Sequence, residues 1–415
     1  MVMDKMIVEP DGSLQLSEAE RRRWGMLPGV EYWVRETPEG LLLRRADPPL
    51  TKLYVEPTNR CNLNCRTCVR NSWSEPLGMM DMEVYHRLVR GLRSVESLQR
   101  VSFWGFGEPL MHPDIVEMVA LAKGLGAQTQ LITNALLLDR DISKGLVEAG
   151  LDSLVVSVDG GTPESHADVR PSADLGLVER NVKVFRDVAA AVGRTDLEIG
   201  LEFVLMRRNV GELARLYHLA TSLDAGFVVI SHVLPYTEEL KDEILYGNYA
   251  GTCYPVYRNR WSPDVVLPRI DWQREITEPL VSLLRFTRPN DAPRGRLDGA
   301  SGFCRFVSEG SAVVAWDGEL SPCIPLMHSY TCYVMRREKR IRRYTLGNVG
   351  KDEITTLWER DEFVRFRDLV QRFEFSPCSD CGGCNFAESN EEDCFGNSFP
   401  VCGDCLWAKG VIQCP

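Results

Sequence analysis

From Lys52 to about Val233 the chain alternates short apolar runs with amphipathic stretches, and this alternation limits the fold more than any other feature. Lys52–Glu56, Val101–Trp104, Thr129–Thr133, Ser153–Val158, Glu198–Leu205 and Phe227–His232 read as strands. Met82–Ser94, Ile115–Gly124, Asp141–Ala149, Leu175–Ala191 and Val210–Leu223 carry a helical period between them. Strands joined by helical crossovers run parallel. Six such units are fewer than the eight that close a full barrel, so an α/β fold built on a parallel sheet is expected. Ligands of such folds gather beyond the strand C-termini.

The first strand runs into EPTNRCNLNCRTCV, Glu56 to Val69, where Cys61, Cys65 and Cys68 are spaced Cys-x3-Cys-x2-Cys. Three thiolates cannot close a tetrahedral site, and an iron–sulfur cubane held by them keeps one iron open to an external ligand. A zinc site or buried free thiols are the plainer alternatives, although zinc favours paired ligands. The second strand runs into GFGEPL, Gly105 to Leu110, whose glycines admit a ligand close to the backbone and whose Glu108 supplies a carboxylate. The third ends in Thr133-Asn134 and the fourth in Ser157-Val158-Asp159-Gly160; each alone also reads as turn or cap chemistry. His232, at the sixth strand end, reads as a ligand or base, or as a structural hydrogen-bonding group.

Together these motifs resemble the radical S-adenosylmethionine (SAM) superfamily, whose partial (β/α)6 barrel, open at one side, fits the count of six units. The resemblance implies that Cys61, Cys65 and Cys68 hold a [4Fe–4S] cluster and that Gly107, Glu108, Asn134, Ser157 and Asp159 contact SAM. It further implies reductive cleavage of SAM to a 5′-deoxyadenosyl radical, which abstracts hydrogen from a peptide, protein or cofactor substrate. An external electron donor such as ferredoxin or flavodoxin is then needed. Two positions depart from the family pattern: Thr67 stands where an aromatic residue is usual, and Phe106 where glycine is usual. No residue is singled out as the catalytic acid, base or hydrogen donor.

Ten further cysteines, Cys304, Cys323, Cys332, Cys378, Cys381, Cys384, Cys394, Cys402, Cys405 and Cys414, crowd the tail. Cys304 and Cys323, with Gly318 five positions before the second, resemble the opening of a SPASM domain, which carries auxiliary [4Fe–4S] clusters. Two four-thiolate clusters need eight of the ten, and Cys332 is the first candidate to stand aside. Zinc ribbons built on Cys378/Cys381 and Cys402/Cys405 are the structural alternative. Glu353–Phe373 reads as an amphipathic helix with Leu357, Trp358, Phe363, Phe366 and Leu369 inward. Ahead of the tail, residues 235–302 lose the period and read as a connector that could cover the open barrel side; Cys253 within it is a plain thiol.

Residues 1–48 read as a separate β-rich module with a helical patch at Ser17–Trp24. Gly12, the GMLPG turn at Gly25–Gly29 and the LLLRR run resemble an AbrB-type swapped hairpin. That family commonly binds DNA, but seven Lys and Arg against nine Asp and Glu in Met1–Pro48 favour protein recognition or dimerisation. Whole-chain charge of −11 likewise opposes broad phosphate contact. The basic run Arg336–Arg343 reads as a solvated face or a docking patch.

The expected organisation is thus 1–48 N-terminal module, 49–234 barrel, 235–302 connector and 303–415 SPASM-like domain. The opening MVMDKMIVEPDG lacks an apolar h-region, and no apolar run reaches membrane-span length, so a cytoplasmic protein is expected. The AbrB-like front and the ending FPVCGDCLWAKGVIQCP look most like maturases associated with tungsten-containing aldehyde oxidoreductases. Such a protein would act on a peptide or protein, with a tungsten-containing oxidoreductase as candidate partner. A redox-sensing DNA-binding regulator and an iron–sulfur electron carrier are the readings from other classes.

Overall fold

The computed structural model describes residues 30–37, 40–247, 264–266, 270–271, 273–285, 304–379 and 384–413, with isolated positions in the first 29. Internal packing divides the chain into two units, residues 1–48 and 49–415. In the first unit, β1 (Ile7–Val8) pairs antiparallel with β2 (Leu14–Gln15), and β3 (Tyr32–Thr37) with β4 (Gly40–Arg45). The helical patch expected at Ser17–Trp24 falls mostly outside the described residues; Arg21 N–H donates to Ser17 O at 2.9 Å, one helical turn.

In the second unit the six expected strands form the centre of one sheet: β5 (Lys52–Val55), β6 (Arg100–Phe103), β7 (Gln128–Thr133), β8 (Ser153–Ser157), β9 (Glu198–Leu205) and β10 (Phe227–His232). Each pairs in parallel with the next, so all six C-termini share one edge. The sheet is larger than the sequence alone shows. In the connector, β11 (Asp264–Val266) adds in parallel to β10. On the opposite side β12 (Ser311–Val314), from the cysteine-rich region, adds in parallel to β5 and carries antiparallel β13 (Leu320–Ser321), completing nine strands.

Strand alternation sorts the two faces. Leu53, Val101, Phe103, Leu131, Leu154, Leu201 and Ile230 enter the main hydrophobic core with the crossover helices. Residues of opposite parity, among them Ser102, Gln130, Ser157, Glu202 and Ser231, make a polar interior, where Ser102 Oγ donates to Gln130 Oε1 at 3.0 Å. The crossovers are α1 (Met82–Leu92), α2 (Ile115–Lys123), α3 (Arg140–Glu148), a short α4 (Pro163–Val169) with α5 (Leu175–Ala191), and α6 (Leu213–Ser222). Asp81, Asp139 and Asp174 cap α1, α3 and α5 through their carboxylates. The connector adds α7 (Arg274–Arg285), so it is not devoid of regular structure; Cys253 lies outside the described residues.

In the tail α8 (Arg305–Ser308) follows Cys304, and β14 (Tyr330–Val334) pairs with β15 (Arg337–Ile341) as a hairpin. The single helix expected over Glu353–Phe373 is instead two, α9 (Ile354–Trp358) and α10 (Asp361–Arg372). The break falls at Arg360, whose extended backbone caps α10 and whose guanidinium donates to Leu346 O at 2.7 Å. Leu357, Trp358, Phe363 and Phe366 are buried as expected and Leu369 is half-buried. Along the basic run the cations are engaged. Arg336 pairs with Asp242, Arg340 with Glu388, Arg342 with Glu391 and Arg343 with Asp317, while Lys339 is buried against Asp404.

Candidate active site and metal centres

The loop after β5 is braced before its cysteines begin. Thr58 Oγ1 donates to Gly78 O at 2.6 Å, and Asn59 bridges Pro76 O (2.9 Å) and Gly78 N (2.7 Å). From the next strand end, Glu108 N–H donates to Arg60 O at 2.8 Å. Gly107 fits here because it lacks a side chain: a Cβ would fall 2.1 Å from Thr58 O and 2.6 Å from Arg60 O. GFGEP is therefore the shelf on which the cysteine loop rests.

Cys61, Cys65 and Cys68 are gathered on that loop around Leu63 and Ala173. Leu63 N–H approaches Cys61 Sγ at 3.4 Å and Arg70 Nε approaches Cys68 Sγ at 3.1 Å. Burial pushes the Cys65 thiol up to about 11, Arg170 opposing this and Asp159 adding to it. Burial likewise raises Cys61. Such thiols are poor lone anions, but binding to an iron–sulfur core removes the proton outright, so the donor set fits a cluster. Among the described residues no three His, Cys, Asp or Glu side chains converge at single-ion distances.

Gly107, Glu108, Asn134 and Ser157 open onto the same cavity as the three cysteines. Asn134 Nδ2 donates to Asn62 Oδ1 at 2.8 Å and lies 3.9 Å from Cys61 Sγ. Glu108 is buried and largely committed: Oε1 accepts from Thr133 Oγ1 (2.6 Å) and Leu110 N (3.0 Å), and Oε2 from Asn134 N (2.8 Å). Of about four acceptor positions on a carboxylate, one remains for a ligand.

Asp159 is not among the residues lining this cavity, contrary to expectation. Its side chain is fully buried, with Oδ2 accepting from Arg170 Nε at 2.6 Å and Oδ1 from Val204 N at 2.9 Å. Arg170 and Glu202 line the cavity instead. Burial works against the Arg170 charge, but Asp159, Cys65 and Glu202 hold it. Glu202 is buried, its carboxyl raised to about 7 by desolvation, with Arg170 opposing and Asp159 reinforcing. Ser157 Oγ donates to it at 3.4 Å. Sequence reasoning missed both residues. A charged side chain inside the apolar run EIGLEFVL was the available signal for Glu202.

An apolar part of the wall comes partly from the tail: Trp104, Phe106, Tyr236, Ile324, Trp407 and Ile412. Gln413 N–H donates to Ser231 Oγ at 3.0 Å and ties the tail to β10. His232 also lines the cavity, its ring tilted on Tyr246 with centroids 5.1 Å apart.

The tail cysteines fall into two groups. Cys304, Cys323, Cys402 and Cys405 lie within one another's electrostatic reach, although 402 and 405 follow 304 by some hundred positions. Burial pushes the Cys304 thiol up to about 12 and raises Cys323, Cys402 and Cys405. Cys323, Cys402 and Cys405 open onto a common cavity, which Cys332 also lines. Cys378 lies near Cys394 and is raised by burial. Cys384 and Cys394 are exposed. Cys332 is fully buried on β14 in an apolar cluster with Tyr330, Val334 and Leu406, and Lys339 and Asp404 are its charged neighbours. Cys381 and Cys414 lie outside the described residues.

Comparison with known proteins accords with this geometry. Residues 55–204 match the radical SAM superfamily, and residues 304–385 match SPASM, an iron–sulfur cluster-binding domain. The tungsten-containing aldehyde ferredoxin oxidoreductase cofactor-modifying protein of Pyrococcus furiosus is 27% identical over 372 residues, 88% of this chain and 96% of the relative. The AdoMet-dependent heme synthase of Methanosarcina barkeri is 25% identical over 85% of this chain and 93% of its own length. Among solved structures, anSMEcpe with bound AdoMet superposes with a TM-score of 0.56 at 20% identity, over 88% of this chain and 92% of that one. Streptococcus suis SuiB bound to its precursor peptide SuiA gives 0.55 at 15% identity, over 82% and 70%; both likenesses speak to fold. SAM, a [4Fe–4S] cluster and further iron–sulfur clusters are the cofactors these domains imply. The parallel sheet, the three-cysteine loop on its C-terminal edge and both domain matches make this chain a radical SAM enzyme with a SPASM domain.

Proposed function

We propose that the protein is a maturase acting in the formation of a tungsten-containing oxidoreductase, on a peptide, protein or cofactor substrate. In this reading Cys61, Cys65 and Cys68 hold the SAM-cleaving cluster. Cys304, Cys323, Cys402 and Cys405 hold one auxiliary cluster, and Cys378, Cys381, Cys384 and Cys394 a second. The sets are complete without Cys332 and Cys414. The observation that carries the reading is the convergence of the three-cysteine loop, Asn134 and Arg170 on one cavity. The Pyrococcus furiosus relative, matched over nearly its whole length and named as a cofactor-modifying protein, supports the substrate class.

The bound cluster supplies one-electron cleavage of SAM and thus hydrogen abstraction from an inert carbon. The chain supplies position and dryness. Arg170, fixed by Asp159, offers a cation suited to the SAM carboxylate. Gly107 and the free acceptor of Glu108 suit the ammonium, and Ser157 with Glu202 suits the ribose hydroxyls. Trp104, Phe106, Trp407 and Ile412 exclude water beside the reacting carbon. A regulator or a simple electron carrier would leave this cavity without a use.

Among the described residues no helix is long and apolar enough to cross a membrane, and the cytoplasm is the proposed location. The N-terminal hairpins serve, in this reading, as an AbrB-like recognition or dimerisation arm, and ferredoxin or flavodoxin as electron donor. The reading is tested by incubating the anaerobically reconstituted, reduced protein with SAM and an immature tungsten-containing oxidoreductase. Release of 5′-deoxyadenosine, lost in Cys65→Ala, together with a mass change in the partner or its cofactor is the expected result. SAM cleavage that leaves partner and cofactor masses unchanged would overturn the maturase assignment.

A further inference from the structure

The two auxiliary ligand sets meet at one strand, β15, and at one buried ion pair. Lys339 is 3% exposed, and its Nζ donates to Asp404 Oδ2 at 2.8 Å, Ser389 O at 2.6 Å and Ala387 O at 3.4 Å. A neutral amine has two N–H groups, so three acceptors, one a carboxylate, match an ammonium. Asp404 stands between Cys402 and Cys405 in the chain, and Ala387 and Ser389 follow Cys384. Two residues before Lys339, Arg337 donates to Cys378 O at 2.6 Å. One strand therefore grips loops of both sets.

Lys339 and Asp404 also line the cavity onto which Cys323, Cys402 and Cys405 open. Both charges are felt at Cys378, Cys402 and Cys405, with Asp404 the stronger at each. At Cys61 and Cys65 the charged neighbours outside the cysteine loop are Arg70, Glu108, Arg170 and Asp159 instead. Reduction adds negative charge to a cluster, and nearby fixed charge in a poorly solvated interior shifts the potential at which this happens.

We propose that Lys339 is a positioning residue for electron transfer: its ammonium neutralises the Asp404 carboxylate between two ligands of one auxiliary centre and so keeps both auxiliary centres reducible. Removing the cation leaves a bare carboxylate beside the thiolates and lowers both potentials. Removing the carboxylate raises them. The centre on Cys61, Cys65 and Cys68 is untouched in either case, which widens or narrows its gap from the auxiliary pair.

The inference rests on the two ligand sets proposed above. Iron and sulfide analysis of the anaerobic wild-type protein tests those sets separately, three cubanes being the expected content. Redox titration of the full-length protein, followed by electron paramagnetic resonance, then tests Lys339. Lys339→Met should shift both auxiliary signals to lower potential with the SAM-cleaving centre unmoved, Lys339→Arg should hold the wild-type values, and Asp404→Asn should shift them upward. With three cubanes present, auxiliary potentials unchanged in Lys339→Met, or all three centres shifted together, would overturn the proposal. Should Lys339→Met not load its clusters, Asp404→Asn decides: no upward shift there refutes it equally.

Discussion

Glu202 brings a carboxyl into the barrel interior from the middle of a strand whose other inward neighbours are Gly200 and Val204. Its pKa of about 7 sets a stability signature in the cofactor-free protein. A carboxyl raised on folding keeps in the folded state a proton that the unfolded chain has released. Stability therefore falls as pH rises from the usual glutamate range through 7 and levels off above it. The complete loss is roughly 3 kcal/mol. Glu202→Gln should match the wild type near pH 4.5 and exceed it by up to that amount at pH 8, measured by denaturant unfolding. An equal offset at both pH values would show that Glu202 does not titrate in this window. The cysteines and GFGEP could be read from sequence because cluster ligation and close backbone approach demand fixed residue types at fixed spacing. Arg170 could not, since it reaches the cavity from the end of a short helix, and Glu202 showed only as a charge within an apolar strand. For the same reason the family resemblance places Asp159 at SAM, while nothing local in the sequence says that its carboxylate holds Arg170.

Among the elements, β12 is where the tail joins the barrel, and its entry is tightly constrained. Gly310 precedes it at φ 63°, and a Cβ there would fall 1.9 Å from Pro49 O. Thr51 N–H also donates to Gly310 O at 2.9 Å, so the two segments cannot simply move apart. Gly310→Ala should combine a left-handed backbone penalty with a backbone clash, costing about 2–4 kcal/mol. A lowered melting temperature of the anaerobic protein checks this, and an unchanged one would mean that β12 is not held against β5 in this way. The six central strands were legible because each is a short apolar run bounded by turns. The edges were not, since Asp264–Val266 and Ser311–Val314 are short and join partners far away in sequence. The split of α9 from α10 was hidden likewise, because the apolar period continues through Arg360 while that residue turns aside to Leu346.

Across residues 49–415 the barrel and the tail are joined by a buried imidazole. His328 Nε2 contacts Glu56 Oε2 at 2.9 Å, and its Nδ1 contacts Glu75 Oε2. Glu56 directly follows the first barrel strand and also accepts from Phe106 N at 3.0 Å; Glu75 follows the cysteine loop and accepts from Ser329 N at 2.7 Å. Trp73 and Phe106 pack on the ring at 4.6 and 5.9 Å, so the phenylalanine that replaces the usual glycine of the motif has a partner in the tail. Burial disfavours the imidazolium, but Glu56 and Glu75 outweigh it and raise His328 to about 9. Burial is also the largest influence on Glu75, yet His328, Ser329 and Arg343 together lower it. A histidine raised on folding contributes its full stabilisation below its unfolded pKa and loses it as pH climbs through 9. That contribution is roughly 3 kcal/mol when complete. His328→Gln should accordingly be most destabilised near pH 6, with the gap from wild type closing by about that amount toward pH 10. Urea unfolding of the anaerobic protein at both ends of the range measures it. A gap that stays constant with pH would mean that the clasp holds through shape and neutral hydrogen bonds rather than through charge.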